Sequence, residues 1–289
     1  MAPPSLTSGW VFDPVPAVAV LAVAAFYLYG VLVLRRRGDR WPLARTVSFV
    51  VLGLGSIAVA TLSPLAGYDT TLLSMHMTQH MILAMVAPVF MALGAPVTLA
   101  LRTLTRTPRG WLLSVLHSRV AAVLSFPALT FALYVLSPWA LYFSSWYDAT
   151  LESAYLHDAL HLHFVAVGCL FFWPLVGIDP VPGRVSFPFR LLTIFLTLPF
   201  HAFLGVTMMS MTTLIAADHY QSLDLSWADP VEDQELAGAL LWGSGDVVGL
   251  VFFAVLFVQW VRASRREAAR EDRRLDLLEA RARAAGGDG

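Results

Sequence analysis

Residues 15–34 read VPAVAVLAVAAFYLYGVLVL, and the next six read RRRGDR. A helix needs about 20 apolar residues to cross a bilayer, and this run supplies them before the arginines end it. Apolar runs of similar length recur at roughly 43–62, 73–98, 119–141, 156–176, 190–214 and 236–261. Turn formers punctuate the gaps: Ser63-Pro64, Asp179-Pro180 with Pro182-Gly183, and Asp229-Pro230. The expected fold is therefore all-α, a polytopic membrane helix bundle with seven transmembrane helices. The bundle occupies residues 1–262, and an Arg-rich cytoplasmic tail occupies 263–289. No soluble domain fits between two spans, and no repeat of 20–50 residues is visible.

Composition agrees. The chain is 57% hydrophobic and 13% charged, against about half and a quarter in soluble domains. Its mean hydropathy is +0.67. A net charge of -1 speaks against nucleic acid as a partner and leaves membrane lipid. Cys169 is the single cysteine, so neither an internal disulfide nor a thiolate cluster is expected. The opening MAPPSLTSGWVFDPVP lacks a basic stretch and reads as uncleaved.

Charge sets the expected orientation, because basic residues favour the cytoplasmic side. Arg35, Arg36, Arg37 and Arg40 follow span 1, and Arg102, Arg106, Arg109 and Arg119 lie between spans 3 and 4. Arg184 and Arg190 lie between spans 5 and 6, and the tail is Arg-rich from Arg262. The last loop on the opposite side carries Asp218, Asp224, Asp229, Glu232, Asp233 and Glu235. Seven spans with the N-terminus outside and the C-terminus cytoplasmic put all the arginine on one side. The expected location is the cell inner (plasma) membrane. The tail reads as a solvated helix with an i,i+4 pair, Glu279 and Arg283.

Polar groups inside apolar spans carry the functional signal, because an ionisable group at membrane depth is expensive. Span 3 begins SMHMTQHMILAM, placing His76 and His80 on one helical face. Met77, Met81 and Met85 form a stripe beside them. Span 5 begins YLHDALHLHF, with His157 and His161 again four apart and His163 on another face. Span 6 carries His201 near its centre, with Met208 seven residues on, and span 7 carries Asp246. Two histidine pairs at matched depth could supply four imidazoles to one metal. Imidazole suits copper, zinc and iron, and thioether sulfur favours Cu(I). The candidate metal ligands are His76, His80, His157 and His161, with His201, Met208 and Asp246 as further members. A site that exchanges metal is expected to open outward.

The chain contains no nucleophile elbow, phosphate-binding loop or dinucleotide-binding pattern in its proper context. It reads as a non-enzyme. Two alternatives stay open: a membrane haem protein with bis-histidine ligation, and a His/Asp-lined ion transporter. A Soret band identifies the first. The apolar inner halves of spans 3 and 5 count against the second.

Three segments carry a resemblance: HMTQHMILAMVAPVFMALGAPVTLALR from His76, FFWPLVGIDPVPGR from Phe171, and DQELAGALLWGSGD from Asp233. In these, and in its span count, the chain resembles the caa3-type CtaG family of cytochrome c oxidase assembly proteins. The resemblance implies a membrane factor for assembling haem–copper oxidase, with oxidase subunits as partners and copper as the metal handled. Asp246 stands where the family is expected to carry an acidic residue. Oligomeric state is not legible in the sequence.

Overall fold

The computed structural model of the protein describes residues 10–286, with side chains to position 278. Most of the start that reads as uncleaved, and the side chains of the expected Glu279–Arg283 pair, lie outside the described residues.

Among the described residues the chain is helical throughout, without strands. Six helices are long and apolar enough to cross a membrane: α1 (Pro14–Arg36), α2 (Leu43–Tyr68), α3 (Leu73–Leu93), α9 (Ala154–Val176), α10 (Phe187–Ser210) and α12, which begins at Pro230. The seven spans expected from the sequence are met as six or up to seven, and the difference lies at span 4. There, α7 (Pro127–Tyr142) and α8 (Trp146–Glu152) meet at 70°, and the pair makes a seventh crossing only if the two count as one. Ser144 lies at the break. Its hydroxyl donates to the Ala140 carbonyl at 2.5 Å, closing α7, and accepts from the Trp146 amide at 3.3 Å, opening α8.

Span 3 is also shorter than its apolar run. Ala95 adopts the left-handed conformation (φ 50°), and Pro96 starts a separate helix, α4 (Pro96–Thr103). The following stretch, read as loop, forms α5 (Arg106–Leu116), and the first residues expected in span 4 form a separate α6 (Arg119–Leu124), neither with a buried residue. The tail is continuous with the last span, and α12 runs Pro230–Gly286.

The apolar faces turned outward identify the solvent. Val18 and Leu21 on α1 and Val247 and Val251 on α12 are each more than 60% exposed. Soluble proteins bury such a surface, whereas lipid leaves it no reason to hide. The chain is a multi-pass membrane protein. Inside, helices approach through small residues. A Cβ on Gly168 of α9 would overlap the Ala84 carbonyl of α3. Gly205 of α10 and Gly238 of α12 meet backbone to backbone in the same way. Two π-helical stretches, Val47–Leu54 and Ile82–Val86, lie in α2 and α3.

Loops gather at two ends. At one end, Arg37 donates to the carbonyls of Arg102 and Thr103, and Asp179 caps α4. At the other end, Asp69 meets His157, Ser74 meets Asp233, and His219 meets the Thr70 carbonyl. These are the arginine end and the histidine end.

Candidate metal site

His76 and His80 stand four apart on α3, and His157 and His161 stand four apart on α9. The structure turns the two pairs toward each other. The His76 and His157 rings are 5.6 Å apart by centroid, and His157 and His161 are 4.6 Å apart. The close approach at Gly168, two turns from His161, makes this possible.

Two residues that the spacing argument missed complete the group. Asp69, buried just before α3, places its carboxylate 3.1 Å from His157 Nε2 and 3.9 Å from His161 Nε2. Ligand atoms of Asp69, His157 and His161 all lie within 4.8 Å of one another, so one ion could take all three. Gln79 holds this triad in shape. Its amide donates to Asp69 at 3.0 Å and to the Ala60 carbonyl at 2.9 Å. Its oxygen pairs with His161 Nε2 at 2.9 Å, a contact that a metal on this nitrogen would replace. Asp69 had one sequence signal: a lone carboxylate in the turn preceding a histidine-bearing span.

His76 is the anomaly. It is 1% exposed, yet neither ring nitrogen has a hydrogen-bond partner. Buried polar atoms are nearly always paired, and an orphan costs about 1–3 kcal/mol. Imidazole, carboxylate and a free imidazole beside them are a donor set that fits a divalent or copper ion.

Aromatic side chains wall the site. His80 stacks on Phe164 with centroids 3.3 Å apart, and its Nδ1 pairs with the Tyr142 hydroxyl at 2.8 Å. The Tyr142 hydroxyl also lies 4.0 Å from the Met77 sulfur. The Tyr147 ring packs against His76 at 5.1 Å, and its hydroxyl meets that of Tyr220 at 2.6 Å. Tyr220 belongs to α11 (Ala217–Ser222), and burial pushes its phenol well above the ordinary value. The expected outward opening is therefore closed at His76. A cavity of about 610 Å³ lies alongside, lined by Leu141, Thr150, Leu160, His163 and Phe164, and not by the paired histidines.

A family model described as cytochrome c oxidase caa3 assembly factor (Caa3_CtaG) matches residues 25–263. The chain belongs to this assembly-factor family. Similar relatives include uncharacterized proteins of Mycobacterium bovis and Mycobacterium tuberculosis, each 38% identical over 275 residues. A third, from Mycobacterium leprae, is 36% identical. The matches cover 92% of this chain but 42% of each relative, so the chain spans about two-fifths of their length. No solved structure matches.

The Caa3_CtaG segments recognised in the sequence serve mostly as braces. Asp179, from the second segment, accepts from the Val97 and Thr98 amides, the Thr98 hydroxyl and Trp173 Nε1. It thereby ties GAPVT to GIDP. Asp233, from the third, accepts from the amide and hydroxyl of Ser74 on α3. Gln234 beside it holds Ile215, Met208 and Thr213 by their backbones.

Three expected ligands stand outside the histidine cluster. His201 bonds the Thr197 carbonyl of its own helix at 3.1 Å and lies against Tyr134. Asp246 accepts from Trp242 Nε1 at 2.8 Å, with its other oxygen buried and unpaired. Met208 is fully buried in the apolar core. Equal depth along a helix did not reveal which way each side chain faces.

Proposed function

We propose that this chain assembles haem–copper oxidase as a non-enzymatic copper carrier, binding the ion at Asp69, His157 and His161 with His76 as the fourth donor. The observation that carries this reading is His76, whose two ring nitrogens are buried without partners beside a ready triad. The oxidase connection rests on the Caa3_CtaG family, and copper on the family together with the imidazole-rich donors. His80, held by Tyr142, orients the wall from behind.

In this reading the protein lies in the plasma membrane with its N-terminus and histidine end outside, since the arginines favour the cytoplasm. Copper arrives from outside as cargo and leaves toward an oxidase subunit. A bis-histidine haem is less well supported, because the rings of Tyr142 and Tyr147, 6.1 and 5.1 Å from His76, occupy space a porphyrin would need.

Metal analysis of the purified full chain tests the proposal. One copper per chain is expected after loading, lost in His157→Ala and retained in His163→Ala. Full copper retention in a His76→Ala/His157→Ala double variant would overturn it, as would zinc displacing copper at equal concentration.

A further inference from the structure

The arginine end holds a feature that metal handling does not use. Trp41 sits in the turn between α1 and α2, largely buried, with its indole N–H donating to the Tyr27 hydroxyl at 3.2 Å. Tyr27 in turn donates to the Gly94 carbonyl at 2.8 Å, so the indole is a fixed ledge. The Arg45 and Arg102 guanidiniums lie over its ring at 5.0 and 5.8 Å. A cavity of about 520 Å³ opens beside it, lined by Arg35, Asp39, Arg40, Trp41 and Pro42. The one carboxylate here, Asp39, is already paired with Arg102 at 3.5 Å. The Arg35 and Arg40 side chains are exposed and have no protein partner among the described residues.

We infer that this ledge binds the headgroup of an anionic phospholipid, with Arg35 and Arg40 taking the phosphate and Trp41 flooring the site. Two unpaired guanidiniums converge on a cavity whose acid is neutralised, which is the charge pattern a phosphodiester needs. The surroundings select a lipid over free phosphate. Below the ledge, α1 exposes Leu28 and Leu32, and α2 exposes Leu43, Val47 and Val51. That apolar wall gives acyl chains a track leading from the headgroup into the hydrocarbon. A Trp and a basic cluster at the end of a span also belong at the membrane interface. The inference is independent of the copper reading.

Native mass spectrometry of the full chain in neutral detergent tests it, with phosphatidylglycerol, phosphatidylcholine and inorganic phosphate as probes. Phosphatidylglycerol should stay bound to the unmodified protein and phosphatidylcholine should not. Arg35→Gln/Arg40→Gln should weaken retention roughly thirtyfold, at the strength of two interfacial charges, and Arg40→Gln alone about fivefold. Arg106→Gln/Arg109→Gln on α5 removes the same charge elsewhere and should retain lipid normally. Equal loss in both double variants would overturn the inference. So would equal retention of phosphatidylcholine, or displacement of the lipid by inorganic phosphate at equal concentration.

Discussion

The two ends of the bundle each bury a carboxylate, and they treat it differently. At the arginine end, Asp179 accepts four hydrogen bonds, from Val97, twice from Thr98, and from Trp173. Nearby, Arg190 spends its guanidinium on the carbonyls of Val185 and Leu175. Both of these buried charges are matched by backbone or side-chain groups that cannot leave. At the histidine end, Asp69 shares one oxygen among Gln79, His157 and His161, and neither ring nitrogen of His76 has a hydrogen-bond partner. A saturated buried charge fixes a fold. An under-used donor set lowers stability unless something else completes it.

Breaking the saturated end should have the largest effect. Asp179→Ala orphans four donors and should destabilise the protein by about 3 kcal/mol or more, read by unfolding in detergent. A stability near that of the unmodified protein would remove the distinction between the ends. Next in size, Gly168→Ala pushes α9 off α3 and should lose about 1–3 kcal/mol. Because that contact sets the spacing of the two histidine pairs, the variant that survives should also bind copper more weakly. Unchanged affinity would mean that the pairs do not act together.

Gln79→Ala touches the histidine end without removing a proposed ligand. It removes the amide that orients Asp69, and copper affinity should fall about tenfold, as measured by competition with a chelator. The smallest effect is the sharpest. His76→Leu replaces two orphaned nitrogens with apolar atoms, so the copper-free protein should gain about 1 kcal/mol while its copper binding falls. A loss of stability instead would mean that the imidazole has a structural partner.

Much of this architecture was legible from residues alone. Apolar runs ended by arginine located the crossings, and i,i+4 spacing found His76, His80, His157 and His161. Local chemistry at single residues redrew the details. Span 4 bends beside Ser144, and Ala95 with Pro96 ends α3 inside its apolar run. Asp69, Tyr142, Tyr147 and Tyr220 come from four different segments, and only packing brings them to the histidines, as only packing brings Gln79 to His161. His201, Met208 and Asp246 show the converse. Depth in a span is readable from sequence, but rotation about the helix axis depends on which neighbours pack where. The family segments also divide on this line, since Asp179 and Asp233 hold helices together while His76 leaves both ring nitrogens without a hydrogen bond.

The Tyr147–Tyr220 contact, together with the His219–Thr70 bond, closes the histidine end with a six-residue helix. Its consequence is kinetic. On the copper proposal, Tyr147 covers His76 and is held by Tyr220, so displacing α11 would speed the release of an ion there. Residence time and affinity are then set by different parts of the chain, and a partner that pulled α11 aside could hasten release without touching a single ligand.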